Sequence, residues 1–188
     1  MFFNGIIVQG SVMLPYIDQK LVKEQNYRGI YSGTTWPLEA MDDIESVNIT
    51  NKLSKHWLQS AYNLYTCTDL ELVKQYLNLC CNLNISTRCI IVESFYDLPH
   101  CEHNVNTLKT EFLGYEFVAS DMQISCSYED MCEDLFMTMH ETLNSNWIFN
   151  TIYDIQCYVN FRESLLRKGY ELEQYYFPRI VRLSEVYL

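Results

Sequence analysis

Acidic side chains supply most of the groups in this sequence that could do chemistry. No Lys or Arg occurs between Lys109 and Arg162, whereas that interval holds nine Asp and Glu residues. Residues 1–100 carry seven basic and ten acidic side chains, and residues 101–188 carry six and fourteen. Carboxylates at this density can transfer protons in catalysis, hold a hard cation or complement a basic macromolecule.

One predicted helix, from Ser127 to about Asn144, would carry most of these acids on one face. A helical step of about 100° per residue groups its apolar residues on one side and its acids on the other. The acidic side is the main candidate binding surface: Glu129, Asp130, Glu133, Asp134 and Glu141. Acids in a first turn also stabilise a helix through its dipole, which accounts for Glu129 and Asp130 but not for Glu141. The face is either a solvated surface or a docking site for a basic partner, with nearby tyrosines as anchors.

A second acidic run follows Trp36-Pro37-Leu38-Glu39 and consists of Asp42, Asp43 and Glu45. Neighbouring carboxylates can act as general acid and base or hold magnesium, but they also commonly solvate the start of a helix. We predict that these three residues form a secondary binding surface.

Signatures of catalysis and of metal binding are few. The sequence has no glycine-rich phosphate loop, no GxSxG, no HExxH and no CxxC. His100-Cys101-Glu102-His103 has metal-ligand types but no second cluster to complete a tetrahedral site, and His56 with Cys67 is one of many possible thiol–imidazole pairs. The eight cysteines are expected to be reduced and structural. We therefore predict a protein that is not an enzyme and that holds neither a metal nor a cofactor.

The formal net charge of −11 predicts repulsion from nucleic acid and from anionic membranes. No stretch reaches the roughly 18 to 20 apolar residues that cross a bilayer. The N-terminus lacks the basic region of a signal peptide, so a cytoplasmic location is expected.

Alternating apolar and helical patterns predict an α+β fold over residues 1–188 as a single domain, with a mostly antiparallel sheet and about four helices. The predicted strands cover residues 5–14, 28–31, 89–94, 114–120 and 175–187. Pro178 favours an edge or bulged position for the last of them. The predicted helices cover residues 53–65, a segment capped by Thr68-Asp69-Leu70-Glu71, residues 127–144, and residues 151–168 with a stop at Gly169.

Three segments together resemble a pattern in small bacterial immunity proteins. They are Phe112-Leu113-Gly114-Tyr115-Glu116-Phe117-Val118-Ala119-Ser120, Leu143-Asn144-Ser145-Asn146-Trp147-Ile148-Phe149 and Tyr153-Asp154-Ile155-Gln156-Cys157-Tyr158. In that pattern "LGYD" lies on a strand, an asparagine-containing "LN" segment precedes a helix, and a strand with a tyrosine follows. This chain departs from it with Glu116 for the aspartate and Trp147-Ile148 for a glycine-leucine step.

The resemblance implies a cytoplasmic protein that neutralises a toxin domain, as in contact-dependent growth inhibition. Because such toxins are frequently basic nucleases, it also implies that acidic side chains face the toxin. Two alternatives from other classes remain open. A phage-type inhibitor that imitates nucleic acid would need carboxylates at phosphate-like spacing, and a small intracellular thiol or carboxylate enzyme would need an activated side chain.

Overall fold

The computed structural model describes residues 2–10, 34–58, 66–95, 108–118, 142–144, 148–172 and 179–188. Its elements, in chain order, are β1 (Phe2–Gly10), β2 (Thr34–Thr35), a 3-10 helix (Pro37–Ala40), α1 (Ile44–Leu58), α2 (Leu70–Asn82), β3 (Thr87–Ser94), β4 (Thr110–Val118), α3 (Ile152–Arg167) and β5 (Arg179–Val186). The predicted strand at residues 28–31 and most of the helix predicted at residues 127–144 lie outside these ranges.

The strands form one sheet in the order β2-β1-β3-β5-β4, and every pair of neighbours is antiparallel. β3 lies in the middle, and its run Cys89-Ile90-Ile91-Val92 is buried on both faces, as expected for a central strand. The predicted α+β class and antiparallel sheet are confirmed. The described residues contain three α-helices and one 3-10 helix, where about four helices were predicted.

Each of the two long outer strands, β1 and β4, contains a bulge. The register shifts between Phe3 and Gly5 in β1, and between Phe112 and Gly114 in β4. Close to each bulge, a single residue from outside the sheet pairs with the strand through two backbone hydrogen bonds. Cys67 pairs with Ile6 at 2.8 Å in both directions, and Phe149 pairs with Tyr115 at 2.8 and 2.9 Å. We call these two pairs the edge bridges.

The apolar interior falls into two clusters. The larger one joins β1, β3 and β5 to α1 and α2, and at its centre Trp36 contacts Tyr76 edge to face at 5.2 Å. The hydroxyl of Tyr76 accepts the N–H of Leu38 at 2.7 Å, which fixes the 3-10 helix against α2. The smaller cluster packs α3 on β4, with Phe117 and Tyr158 in contact. Burial of apolar side chains stabilises both clusters, and the aromatic contacts add to it.

The helix signals in the sequence locate two helices well. α2 exposes Glu71, Lys74, Gln75 and Asn78 as predicted, but its N-cap is Asp69 rather than Thr68, because the Asp69 carboxylate accepts the N–H groups of Glu71 and Leu72. Thr151 caps α3 by accepting the N–H of Asp154 at 3.1 Å. Gly169 follows the end of α3 with φ of 87°, which confirms its role as the stop.

Two expectations were wrong. The helix predicted from Leu53 begins at Ile44, because Asp43 caps it there. The last strand lies between β3 and β4 rather than at an edge. Pro178 itself lies outside the described residues, and the first described pair of β5 is that of Arg179 with Val118.

Candidate binding surface

Three of the eight acids predicted to bind a partner lie in the described residues. Asp42, Asp43 and Glu45 are all exposed, at the beginning of α1. The other five lie outside the described residues: Glu129, Asp130, Glu133, Asp134 and Glu141. The structure therefore describes only the acids of the secondary surface, which lie together at the beginning of α1. The main acidic face stays a prediction.

Asp43 has a structural role within this run. Its Oδ1 atom accepts the N–H of Ser46 at 2.9 Å and that of Glu45 at 3.2 Å, which makes it the N-cap of α1. Contacts with the side chain and backbone of Ser46 hold the pKa of Asp43 below its usual value. The reading of these acids as the solvated start of a helix is therefore confirmed for Asp43.

Two exposed apolar residues lie next to the other two acids, one between them and one after them. Ile44 is 73% exposed and Val47 is 40% exposed, and their i,i+3 spacing puts them side by side on the outer surface of α1. The opposite face of the helix holds the buried residues Ser46, Ile49 and Leu53. Single exposed apolar residues are common, but a pair flanked by carboxylates is typical of an interaction surface. We call Asp42, Ile44, Glu45 and Val47 the α1 tip.

The carboxylates of the α1 tip belong to exposed residues. Neither Asp42 nor Glu45 forms an ion pair with any other residue that the structure describes. The two exposed lysines of α1, Lys52 and Lys55, lie two to three turns further along the helix. The sequence signal for the tip is an apolar residue inside an acidic run, which is not a feature of helical periodicity.

Buried thiols show the opposite of the chemistry that a cysteine nucleophile needs. The five described cysteines are free, and Cys67, Cys80 and Cys89 are buried. Burial raises the pKa of Cys67 to about 11 and that of Cys80 and Cys89 to about 12. An activated thiol has a lowered pKa instead. These three cysteines therefore serve as small apolar core residues.

Metal chemistry has no assembled site in the part of the chain that the structure describes. There, no three His, Cys, Asp or Glu side chains are grouped as metal ligands would be. His100, Cys101 and His103 lie outside the described residues. Across those same ranges, no helix combines the length and the apolar character that crossing a bilayer requires.

Aromatic side chains form a second exposed group, on the sheet. Tyr115 stacks on Phe95 at 6.3 Å and contacts Phe112 edge to face at 5.3 Å, and both phenylalanines are 43% exposed. The guanidinium of Arg182 lies 5.2 Å from the ring centre of Phe112 and forms an ion pair with Glu93 at 2.9 Å. We call Phe95, Phe112 and Tyr115 the aromatic cluster.

Two of the three segments of the immunity-protein pattern contact each other. Gly114 on β4 lies so close to Ile148 and Phe149 that an added Cβ atom would come within 2.8 Å of both. Asn144 donates its side-chain N–H to the carbonyl of Leu113 at 2.7 Å. This contact closes part of the sheet edge, so its described role is structural. The third segment, Tyr153 to Tyr158, lies in α3 and not in a strand.

Comparison with protein-family models, with curated proteins and with solved structures finds no match for this chain. The surfaces described above are therefore interpreted from their own chemistry.

Proposed function

We propose that this chain is an immunity protein that binds and neutralises a basic toxin domain, of the nuclease type, in the cytoplasm. The observation that carries the proposal is the α1 tip, where Ile44 and Val47 are exposed next to the carboxylates of Asp42 and Glu45, which form no ion pair within the described residues. The net charge of −11 and the resemblance of the C-terminal half to immunity proteins support the same reading.

The physical argument is one of complementarity. An exposed isoleucine can insert into a pocket of the partner and lose its contact with water, which is the usual role of a binding hot spot. Carboxylates around it attract a basic surface, accelerate encounter and reject acidic competitors. The acidic face predicted over Glu129, Asp130, Glu133, Asp134 and Glu141 would extend the same field.

The function is tested by survival. The gene upstream of this one should encode a large secreted protein with a variable C-terminal toxin domain. Expression of that domain alone is expected to stop growth, and co-expression of this chain is expected to restore it. Equal growth with and without this chain would reject the proposed function.

The α1 tip is tested by charge reversal at Asp42 and Glu45, with Asp43 left in place because it caps the helix. We expect Asp42→Lys with Glu45→Lys to slow association with the toxin domain by about tenfold or more. The matched control is Glu71→Lys with Glu171→Lys, which changes the charge equally at two other exposed positions. Association kinetics at low and high salt separate a local effect from a general one. An equal effect of both pairs would mean that only net charge matters.

A further inference from the structure

β4 is the last strand of the sheet, and its backbone groups alternate in direction. Tyr187 donates its N–H to the carbonyl of Lys109 at 3.4 Å, so the backbone groups of Lys109 point toward β5. In an antiparallel ladder the next residue then points away, which directs the N–H and C=O groups of Thr110 and Phe112 outward. After the bulge, the same alternation directs the backbone N–H and C=O groups of Tyr115 and Phe117 outward.

The second half of this outer edge is covered. Tyr115 gives and receives a backbone hydrogen bond in its edge bridge to Phe149. The carbonyl of Leu113 accepts the side chain of Asn144 at 2.7 Å. The outward N–H of Phe117 is bound at 2.7 Å by the carboxylate of the preceding residue, Glu116, which is itself buried.

The first half of the edge has no such cover in the part of the chain that the structure describes. Thr110, Glu111 and Phe112 are all exposed. The opposite edge of the sheet differs, because Cys67 binds both backbone groups of Ile6 and Trp36 donates its N–H to the carbonyl of Val8 at 2.7 Å. An uncovered edge presents donors and acceptors to any extended chain that can pair with them.

The two faces at this open edge have different chemistry. On one face Glu111 lies directly opposite Glu185 of β5, a like-charge pair that disfavours the sheet unless a cation approaches. Tyr187 donates its hydroxyl to Glu111 at 3.2 Å, and Lys109 lies over the ring of Tyr187 at 5.9 Å. On the other face, Phe112 belongs to the aromatic cluster.

We propose that Thr110–Phe112 is a docking site where an extended segment of a basic partner protein joins the sheet as an additional strand. The segment carries Lys or Arg opposite Glu111 and apolar side chains opposite Thr110 and Phe112. The backbone N–H and C=O groups of Glu111 point toward β5. Glu111 and the residue opposite it on the added strand would therefore form a non-hydrogen-bonded pair, in which side chains approach most closely. A second copy of this chain does not fit, because self-pairing centred on Glu111 sets Glu111 against itself between two chains of net charge −11.

The inference rests on the proposed function for the choice of a basic protein, but its test needs no toxin. The probe is an acetylated and amidated seven-residue peptide of alternating Lys and Val, added to isotope-labelled protein. We expect the amide resonances of Thr110 and Phe112 to shift and their hydrogen exchange to slow several-fold. The same peptide with N-methylated valines cannot pair with the edge and should leave both signals unchanged.

Charge exchange provides the matched variants. The Glu111→Lys variant should no longer bind the Lys/Val peptide and should bind a Glu/Val peptide instead. The Glu171→Lys variant changes an exposed position elsewhere and should bind both peptides as the unmodified chain does. The proposal is overturned by no binding at millimolar peptide, by equal binding of the N-methylated peptide, or by shifts confined to the α1 tip. Protection of both amides by self-association without peptide would overturn it as well. Survival in the toxin assay despite such a result would leave the proposed function in place.

Discussion

Four consecutive residues at the start of α1 divide two tasks between them. The carboxylate of Asp43 accepts hydrogen bonds from the first free N–H groups of the helix. Asp42, Ile44 and Glu45 make no comparable contact within the described structure and face solvent. Folding and the recognition that we propose therefore involve different members of one acidic run, and substitutions can separate them.

Asp43→Ala is expected to destabilise the fold, because it removes the acceptor for two N–H groups at the helix start. The pKa of Asp43 is lowered in the folded chain, so its contribution is fully present above the ordinary aspartate pKa of about 3.9 and is lost as the pH falls through the folded value. The variant should therefore unfold at lower urea than the unmodified chain at neutral pH, and this gap should narrow in acid.

Glu45→Ala is the control for that comparison, since the Glu45 side chain caps nothing in the described structure. Because Glu45 lies in the first turn and interacts only with the helix dipole, this change should lower the urea midpoint much less than Asp43→Ala does, and it should weaken association with the toxin domain. A urea midpoint for Asp43→Ala that matches the one for Glu45→Ala would contradict the capping role.

The sequence predicted this site only in part. The carboxylates of Asp42, Asp43 and Glu45 were recognisable by type, but their division of labour depends on where α1 begins. The first residue of α1 was hard to predict because Ile44 and Val47 are apolar residues on the outer face, and such residues disturb the periodicity by which a helix is recognised. A capping residue that is followed by an apolar residue on the outer face resembles the sequence of a loop.

At the scale of elements, β4 combines a closed half and an open half in nine residues. The change occurs at the bulge, where Leu113 is the extra residue and Gly114 allows the chain from Ile148 to Phe149 to approach. Bulges commonly end or redirect pairing at the edge of a sheet. Gly114 is thus the position on which the closed half depends.

Gly114→Ala tests this dependence. Its φ is 148°, and the new Cβ atom would lie 2.7 Å from Ile148 and 2.8 Å from the carbonyl oxygen of Phe149. We expect a loss of about 1–3 kcal/mol in the free energy of unfolding, measured with urea. Gly169→Ala is the matched control, because its φ is 87° but nothing lies within 4 Å. Equal losses would show that the contact with Ile148 and Phe149 costs nothing to disturb.

Local signals predicted the elements better than the sheet. Caps and stops placed α2 and α3, because Asp69, Thr151 and Gly169 act on backbone groups only a few residues away. The position of β5 between β3 and β4 depends on pairing between distant segments, which no local pattern records. Pro178 suggested an edge or bulged position because proline has no backbone N–H to donate to a ladder.

For the whole molecule, three buried cysteines report on one shared interior. Cys67 precedes α2, Cys80 lies on α2 and Cys89 lies on β3, yet all three belong to the larger apolar cluster. Proteins open in contiguous cooperative units, and we expect this cluster to be one of them. The three thiols should therefore become reactive together.

Alkylation with iodoacetamide at mildly alkaline pH tests this expectation. Cys81 is exposed and should react at once, whereas the raised pKa values and burial of Cys67, Cys80 and Cys89 should protect them in the folded chain. Mass spectrometry of peptides over time should give one common slow rate for the three. Early labelling of Cys67 alone would show that its edge bridge opens independently.

The two edge bridges also bear on how such a chain can change over evolutionary time. Each pairs one residue of its segment with a strand, Ile6 with Cys67 and Tyr115 with Phe149, and one side-chain hydrogen bond lies beside each pair, from Thr66 to Asn4 and from Asn144 to Leu113. The register is held by the long ladders between β1, β3, β5 and β4. So short an attachment does not transmit a gain or loss of residues on either side of it into the ladder. Homologous chains can therefore diverge in length and composition around the bridges while the five strands keep their alignment.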